Sequence, residues 1–273
     1  MKLVRSANAH PFRTSQAVIN PLHNDLAGRP AAVVGGQGGV NSITSRILKT
    51  QAANLIAYWR LGELSGTTAT DSSPTAADGT YAGTFTLAQP GIGDDSLSTL
   101  FDGTSGLVSL ATNLATLDTP FDGAEGSLVC WGKVSSAGVW TDAAFHVLSA
   151  LGADASNRVL LYKPNTDNTL TWLYASGGTG NTATITASPT GWFSIGITWS
   201  KSNNRVRRYY NGVQQGANLT GLGVWAGALA SAWSAIGSQS SLSASSQWSG
   251  NLAHNAAWKA ELTAAEMLSI GLL

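Results

Sequence analysis

Residues 191–216, GWFSIGITWSKSNNRVRRYYNGVQQG, constrain the fold of this chain more than any other stretch. Phe193, Ile195, Ile197 and Trp199 alternate with Ser194, Gly196 and Thr198. A period of two puts the four large apolar groups on one face, as in a half-buried strand. Lys201, Ser202, Asn203 and Asn204 form a polar turn, and residues 205–210 supply a second strand. Asn211-Gly212 accepts the positive φ angles of a two-residue hairpin turn, after which Val213, Gln214 and Gln215 begin a return strand. The segment predicts a three-stranded antiparallel meander.

The same grammar runs from Leu55 onward. Further strands are expected at 57–61, 84–88, 105–109, 126–134, 144–150, 158–163, 169–174, 182–186, 234–237 and 246–258, with Gly, Asn, Asp and Pro between them. Many short strands separated by turn residues predict an all-β sandwich or jelly roll. A short C-terminal helix is signalled by Thr263, with Glu266 placed to complete a capping box. Leu262, Met267 and Ile270 are expected to cover the end of the sandwich. Only 11% of the 273 residues are charged, so Ser, Thr, Asn and Gly must supply much of the surface. No apolar run approaches the roughly 20 residues of a membrane span, and no membrane partner is expected. Cys130, the one cysteine, excludes an internal disulfide and reads as a small buried residue.

Residues 1–54 read differently. Pro11, Pro21, Pro30 and the cluster Gly35-Gly36-Gln37-Gly38-Gly39 interrupt any apolar period. Such a segment cannot alone bury enough surface to offset its ordering entropy. Within residues 1–50, six Lys and Arg stand against Asp25, a net +5; nine basic and fourteen acidic residues follow, a net −5. The expected organisation is an extended basic N-terminal arm (1–54) followed by a β domain (55–273), the two meeting different partners. The one regular element expected near their junction is a short amphipathic helix at 42–55, with Ile43, Ile47 and Leu48 on one side. The start, MKLVRSANAHPF, has no apolar stretch behind its basic residues, so no secretory signal peptide is expected.

Three pieces together resemble laminin G-like, concanavalin A-like jelly-roll domains. The first is Trp192, Ile195, Thr198-Trp199 and Tyr210-Asn211-Gly212. The second is Ala57-Tyr58-Trp59-Arg60-Leu61-Gly62-Glu63 with Asp71-Ser72-Ser73 and Asp78-Gly79-Thr80-Tyr81, similar to an opening strand and loop. The third runs from Gln247-Trp248-Ser249-Gly250-Asn251-Leu252 to Glu266, similar to a closing strand and terminal helix. The resemblance covers about residues 55–273 and implies fold more than function, because one fold hosts many activities.

Catalytic patterns are sparse. Glycoside hydrolysis needs two carboxylates across the scissile bond. Glu63, Glu125, Glu261 and Glu266 have no acidic residue two positions away, and Asp94-Asp95 would point in opposite directions on a strand. His10, His23, His146 and His254 form no metal-ligand spacing, and no nucleophile motif is present. The expectation is therefore no enzymatic activity. Calcium remains a candidate ion, because many laminin G-like domains hold one through rim carboxylates; Asp71, Asp78 and Asp102 lead the candidates, with Asp94, Asp95 and Asp122 behind them. Each also reads as a turn-forming aspartate. Of ten tryptophans, Trp59, Trp131 and Trp199 read as core. Trp140, Trp225 and Trp233 adjoin loop-like stretches and are candidates for sugar stacking, a protein interface or the core. Arg205 and Arg207 share a strand face opposite Arg208, which reads as a solvated strand rather than a nucleic-acid patch.

Stand-alone domains of this type resemble those attached to bacteriophage capsids and tails. The leading expectation is a virion structural protein, a capsid decoration or accessory protein made in the host cytoplasm and displayed on the virion surface. Arg5, Phe12, Arg13, Val18, Ile19, Leu22 and Arg29 would then anchor the arm to a major capsid or tail protein, within a homo-oligomer. The alternative is a glycan-binding module, a lectin or adhesin that contacts a host-surface glycan.

Overall fold

The computed structural model describes residues 42–242 and 246–273. The expected anchoring residues Arg5 to Arg29 lie outside the described residues. Helix α1 (Ile43–Lys49) leads into β1 (Leu55–Trp59) and then β2 (Thr68–Ala69), β3 (Gly79–Ala82), β4 (Phe85–Pro90), β5 (Leu97–Asp102) and β6 (Leu107–Ser109). A short helix α2 (Leu114–Asp118) precedes β7 (Glu125–Val134). The chain continues through β8 (His146–Asp154), β9 (Asn157–Lys163), β10 (Thr169–Ser176) and β11 (Thr179–Thr186). The meander follows as β12 (Phe193–Ser200), β13 (Arg205–Tyr210) and β14 (Val213–Gln214). β15 (Ala235–Ile236), β16 (Ser249–Trp258) and α3 (Ala264–Gly271) close the domain.

These strands form two eight-stranded sheets. The first runs β14-β13-β12-β7-β16-β5-β4, with β1 also paired to β16; the second runs β11-β10-β9-β8-β15-β6-β3-β2. Non-sequential neighbours such as β7 and β16 bring distant segments together, as a jelly roll requires. The core between the sheets takes Phe193, Ile195, Ile197 and Trp199 from β12, the four residues whose alternation marked the strand. The hairpin turn is also as expected, with Asn211 and Gly212 at φ 48° and 73°.

β12 departs from the half-buried expectation: all eight of its residues are buried. The reason is α3, which lies across the outer face of the first sheet with Met267 and Ile270 against Val129, Trp131 and Tyr209. α3 therefore covers a face of the sandwich, not its end. A Cβ on Gly196 would stand 2.5 Å from Met267 Cε, so the small residue makes room for the helix. The capping box is formed: Thr263 N donates to Glu266 Oε2 at 2.7 Å and Glu266 N to Thr263 Oγ1 at 3.3 Å. Each such cap contributes on the order of 1 kcal/mol to a helix start.

Residues 42–54 also pack on the domain. Ser42 caps α1, and Ile43 and Ile47 join α3 and Tyr58 in the same outer cluster. Leu48, expected beside them, is exposed instead. Arg46 fixes α1 to the far end of the chain by donating to the carbonyls of Ser269 and Leu272 at 2.5 and 3.1 Å. No described helix is long and apolar enough to cross a membrane.

Candidate functional site

The second sheet keeps its outer face clear of the two terminal helices. Alternation on β9 sends Val159 and Leu161 into the inter-sheet core and Leu160 and Tyr162 outward. Cross-strand register then builds three rows on that outer face. Val147, Tyr162, Thr171 and Thr184 stand side by side across β8, β9, β10 and β11. Ala150, Leu160, Leu173 and Thr182 form the next row. Gly152, Arg158, Ala175 and Gly180 form the third.

Each row has a distinct chemistry. In the first, Phe145 packs on Tyr162 with ring centroids 4.7 Å apart, and the Thr171 and Thr184 hydroxyls meet at 2.8 Å. The second is an apolar floor of Ala150 and Leu160, with Leu173 half-buried beside it. In the third, small residues flank Arg158, whose guanidinium carbon lies 5.1 Å from the centre of the Trp233 ring. Within the twelve residues of the three rows, Arg158 carries the one formal charge. Half-exposed aromatic rings beside hydroxyls and a guanidinium suit a ligand with both apolar and polar faces.

The sugar-contact candidates are scattered. Trp233 lies on this face. Trp140 does not: it is 1% exposed, inside the core against Phe193, and its Nε1 donates to Pro189 O at 2.9 Å. Its backbone carbonyl accepts from Asn168 at the start of β10, whereas Trp225 sits by Tyr174 near the far end of that strand. Trp225 is half-buried against Phe121. The glycine- and alanine-rich surroundings that marked Trp140 as a loop residue form a 3-10 turn, 137–141, which tucks the indole inward. Tyr162 and Arg158 escaped notice, although the alternation within NRVLLYK was the available signal.

The three leading calcium candidates already accept from donors. Asp71 accepts from the backbone N–H groups of Tyr58, Ser73 and Ala77 and from the Ser73 hydroxyl. Asp78 accepts from Asp71 N. Asp102 accepts from the N–H groups of Thr104, Ser105 and Gly106 and from two hydroxyls. Against a burial penalty that pushes its carboxyl up, those bonds hold Asp102 well below the usual carboxylate range. Oxygens that face N–H donors organise turns and have little capacity left for a cation, which needs six to eight oxygens. Among the described residues no group of three or more His, Cys, Asp or Glu could hold a metal ion. A cleft of about 170 Å³ beside Asp102, lined by Phe85, Leu100, Phe101 and the hydroxyls of Ser135 and Ser249, is smaller than ordinary ligand sites.

Other polar groups of interest serve structure. Arg205 and Arg207 both bind Glu261, at 2.8 and 2.9 Å, and Arg208 donates to the Gln215 and Ala217 carbonyls. The strand expected to be solvated is thus tied down through all three arginines. Cys130 is buried, and burial pushes its thiol up to about 12, far from a nucleophile. His254, at φ 50° in β16, is buried between Tyr58 Oη at 2.7 Å and Ser96 Oγ at 3.2 Å.

The laminin G model of the concanavalin A-like lectin/glucanases superfamily matches residues 102–267, more than half of the chain. The chain belongs to this superfamily. The match spans β6 to β16 and so includes every strand of the three rows. No curated protein sequence matches the chain. Among solved structures, domain 4 of the extracellular GH43 arabinanase AbnA from Geobacillus stearothermophilus, in complex with arabinotriose, superposes with a TM-score of 0.53 at 18% identity, over 80% of this chain and 98% of that one. The CBM40 of the Ruminococcus gnavus IT-sialidase, bound to α2,3-sialyllactose, gives 0.50 at 13% identity over 64% and 96%. Trypanosoma rangeli sialidase in complex with sialic acid gives 0.57 at 12% identity, over 80% of this chain and 32% of that chain, so this superfamily member spans about a third of that enzyme. At these identities the likeness is one of fold.

Proposed function

We propose that the chain is a non-catalytic glycan-binding module of the concanavalin A-like superfamily, and that its ligand lies across the outer face of the second sheet. The observation that carries this reading is the in-register placement of Tyr162, Arg158 and the Thr171–Thr184 hydroxyl pair, with the Trp233 ring against Arg158, on a face that neither terminal helix covers. Sugar rings offer an apolar face for stacking and a polar rim for hydrogen bonds, and these residues supply partners for both. Two of the similar structures hold bound sugars on domains of nearly the size compared here, which supports the reading by analogy of fold. The four glutamates are each engaged: Glu63 by Thr70 N and Tyr81, Glu125 by Ser202 N, Glu261 by arginines and Glu266 by Thr263 and Gln51. That arrangement favours binding over hydrolysis. The virion role expected from the sequence rests chiefly on residues 1–41 and draws no support from the described residues.

The test is a broad glycan panel probed with the purified full-length chain, followed by Tyr162→Ala. Tyr162 is a half-exposed surface residue, so the variant should fold and lose about tenfold or more in affinity for whatever binds. Failure to bind any glycan on the panel would sink the proposal.

A further inference from the structure

We infer that Arg158 and Trp233 form a subsite that makes this face prefer sugars carrying a carboxylate. The inference rests on the glycan-binding reading above and narrows it. Arg46, Arg205, Arg207 and Arg208 all donate to carbonyls or to Glu261. Arg158, like Arg60, makes no such bond. Among the described residues no hydrogen bond or ion pair engages its guanidinium, and its Nε is buried with no partner. A half-buried guanidinium without an anion gives up water and gains only its contact with the Trp233 ring in return. Burial also pulls the basicity of the group below its usual value.

The surroundings make room for an incoming group. Gly152 and Ala175 stand directly opposite Arg158 on either side, and Gly180 follows Ala175, so the row offers almost no side-chain bulk. Trp233 closes one side: a Cβ on Gly152 would lie 2.7 Å from Arg158 Cβ and 3.2 Å from Trp233 Cβ. Contact with the indole restrains the guanidinium and leaves its planar fork for a ligand. A carboxylate matches that fork with two parallel charge-assisted bonds, whereas a neutral sugar leaves the charge unpaired. With no acidic residue in the three rows, nothing on this face competes for it.

The experiment measures binding of the full-length chain to 3′-sialyllactose, a galacturonate oligosaccharide and lactose, by calorimetry at low and moderate salt. At least one acidic probe should bind about tenfold or more tighter than lactose, with the advantage shrinking as salt rises. Arg158→Gln should erase the difference, and Arg158→Lys should restore part of it, without a change in melting temperature. Equal binding of acidic and neutral probes, unchanged in Arg158→Gln, would overturn the subsite and leave the glycan-binding reading standing. Absence of binding to these probes and to the whole panel would overturn both. If Arg158→Gln fails to fold, the Trp233 indole N–H resonance of the unaltered chain is followed during titration; no shift at saturation overturns the assignment.

Discussion

Lys163 Nζ lies 2.7 Å from Asp142 Oδ1, and the lysine side chain is wholly buried. The same ammonium donates to Ala144 O at 2.9 Å, while Asp142 Oδ2 meets His146 Nε2 at 2.8 Å. His146 Nδ1 faces Gln247 O at 2.5 Å, so both ring nitrogens face acceptors. A charge in the interior is tolerable only while its partner is present. Asp142→Asn should therefore destabilise the fold by about 2–4 kcal/mol, less than a fully buried pair would lose because Asp142 is partly exposed. Urea denaturation of the variant measures this; a midpoint unchanged from the parent chain would refute it.

Acid should lower the stability of the domain in two pH windows. Burial pushes the His254 imidazole below its ordinary value, with Asp94 opposing. A group that binds its proton less readily when folded contributes stability that is full above its unfolded pKa, near 6.5, and is lost as pH falls below it. Asp142 acts lower down. Against a burial penalty, bonds from Lys163, Ala144 and His146 hold it at about 2, below its ordinary 3.8. Its contribution is present above pH 4 and is lost as pH falls toward 2, where Asp102 adds to the loss. Melting temperature against pH should decline in both windows, and His254→Asn should flatten the upper one alone.

Gly196 should tolerate alanine and reject valine. The nearest atom an added Cβ would meet is the terminal methyl of Met267, which can swing aside, and Val129 Cγ2 at 3.1 Å need give by only a few tenths of an ångström. A branched side chain would lift α3 from the sheet and cost about 1–3 kcal/mol. Loss of protection of the α3 amides in hydrogen exchange would mark the displacement, and an unperturbed α3 in Gly196→Val would contradict it.

Trp140→Ala should fail as a probe of ligand binding, because it removes a buried indole and costs about 3–5 kcal/mol of stability. Trp233→Ala should behave in the opposite way, folding nearly as well as the parent chain and losing ligand. Thermal melts and the glycan panel run on both variants separate the two roles; a destabilised Trp233→Ala beside a stable Trp140→Ala would reverse the assignment.

Local patterns made much of the sandwich legible. Phe193 to Trp199, the Asn211-Gly212 turn and the Thr263 capping box each depend on neighbours within a few residues. β5 was missed because Ser98 and Thr99, both fully buried, break the apolar alternation of Leu97–Asp102. β2 and β3 are too short to carry a period. The double burial of β12 could not be read from its own residues, since it depends on Met267 and Ile270 about 70 positions later. The candidate site was hidden for a related reason. Val147, Tyr162, Thr171 and Thr184 become neighbours only through the register of four strands, and a sequence pattern shows which way a residue faces without showing what stands beside it.

The Arg46 bonds to Ser269 and Leu272 fix where the described domain can be held. They bring its first helix and its last residues together on the first sheet, so chain entry and chain exit share one side. The three rows lie across the sandwich from that side. A tether at Ser42, at Leu273 or at both would therefore present the same face outward, and many copies on one support would point their Arg158 rows away from it and toward whatever approaches.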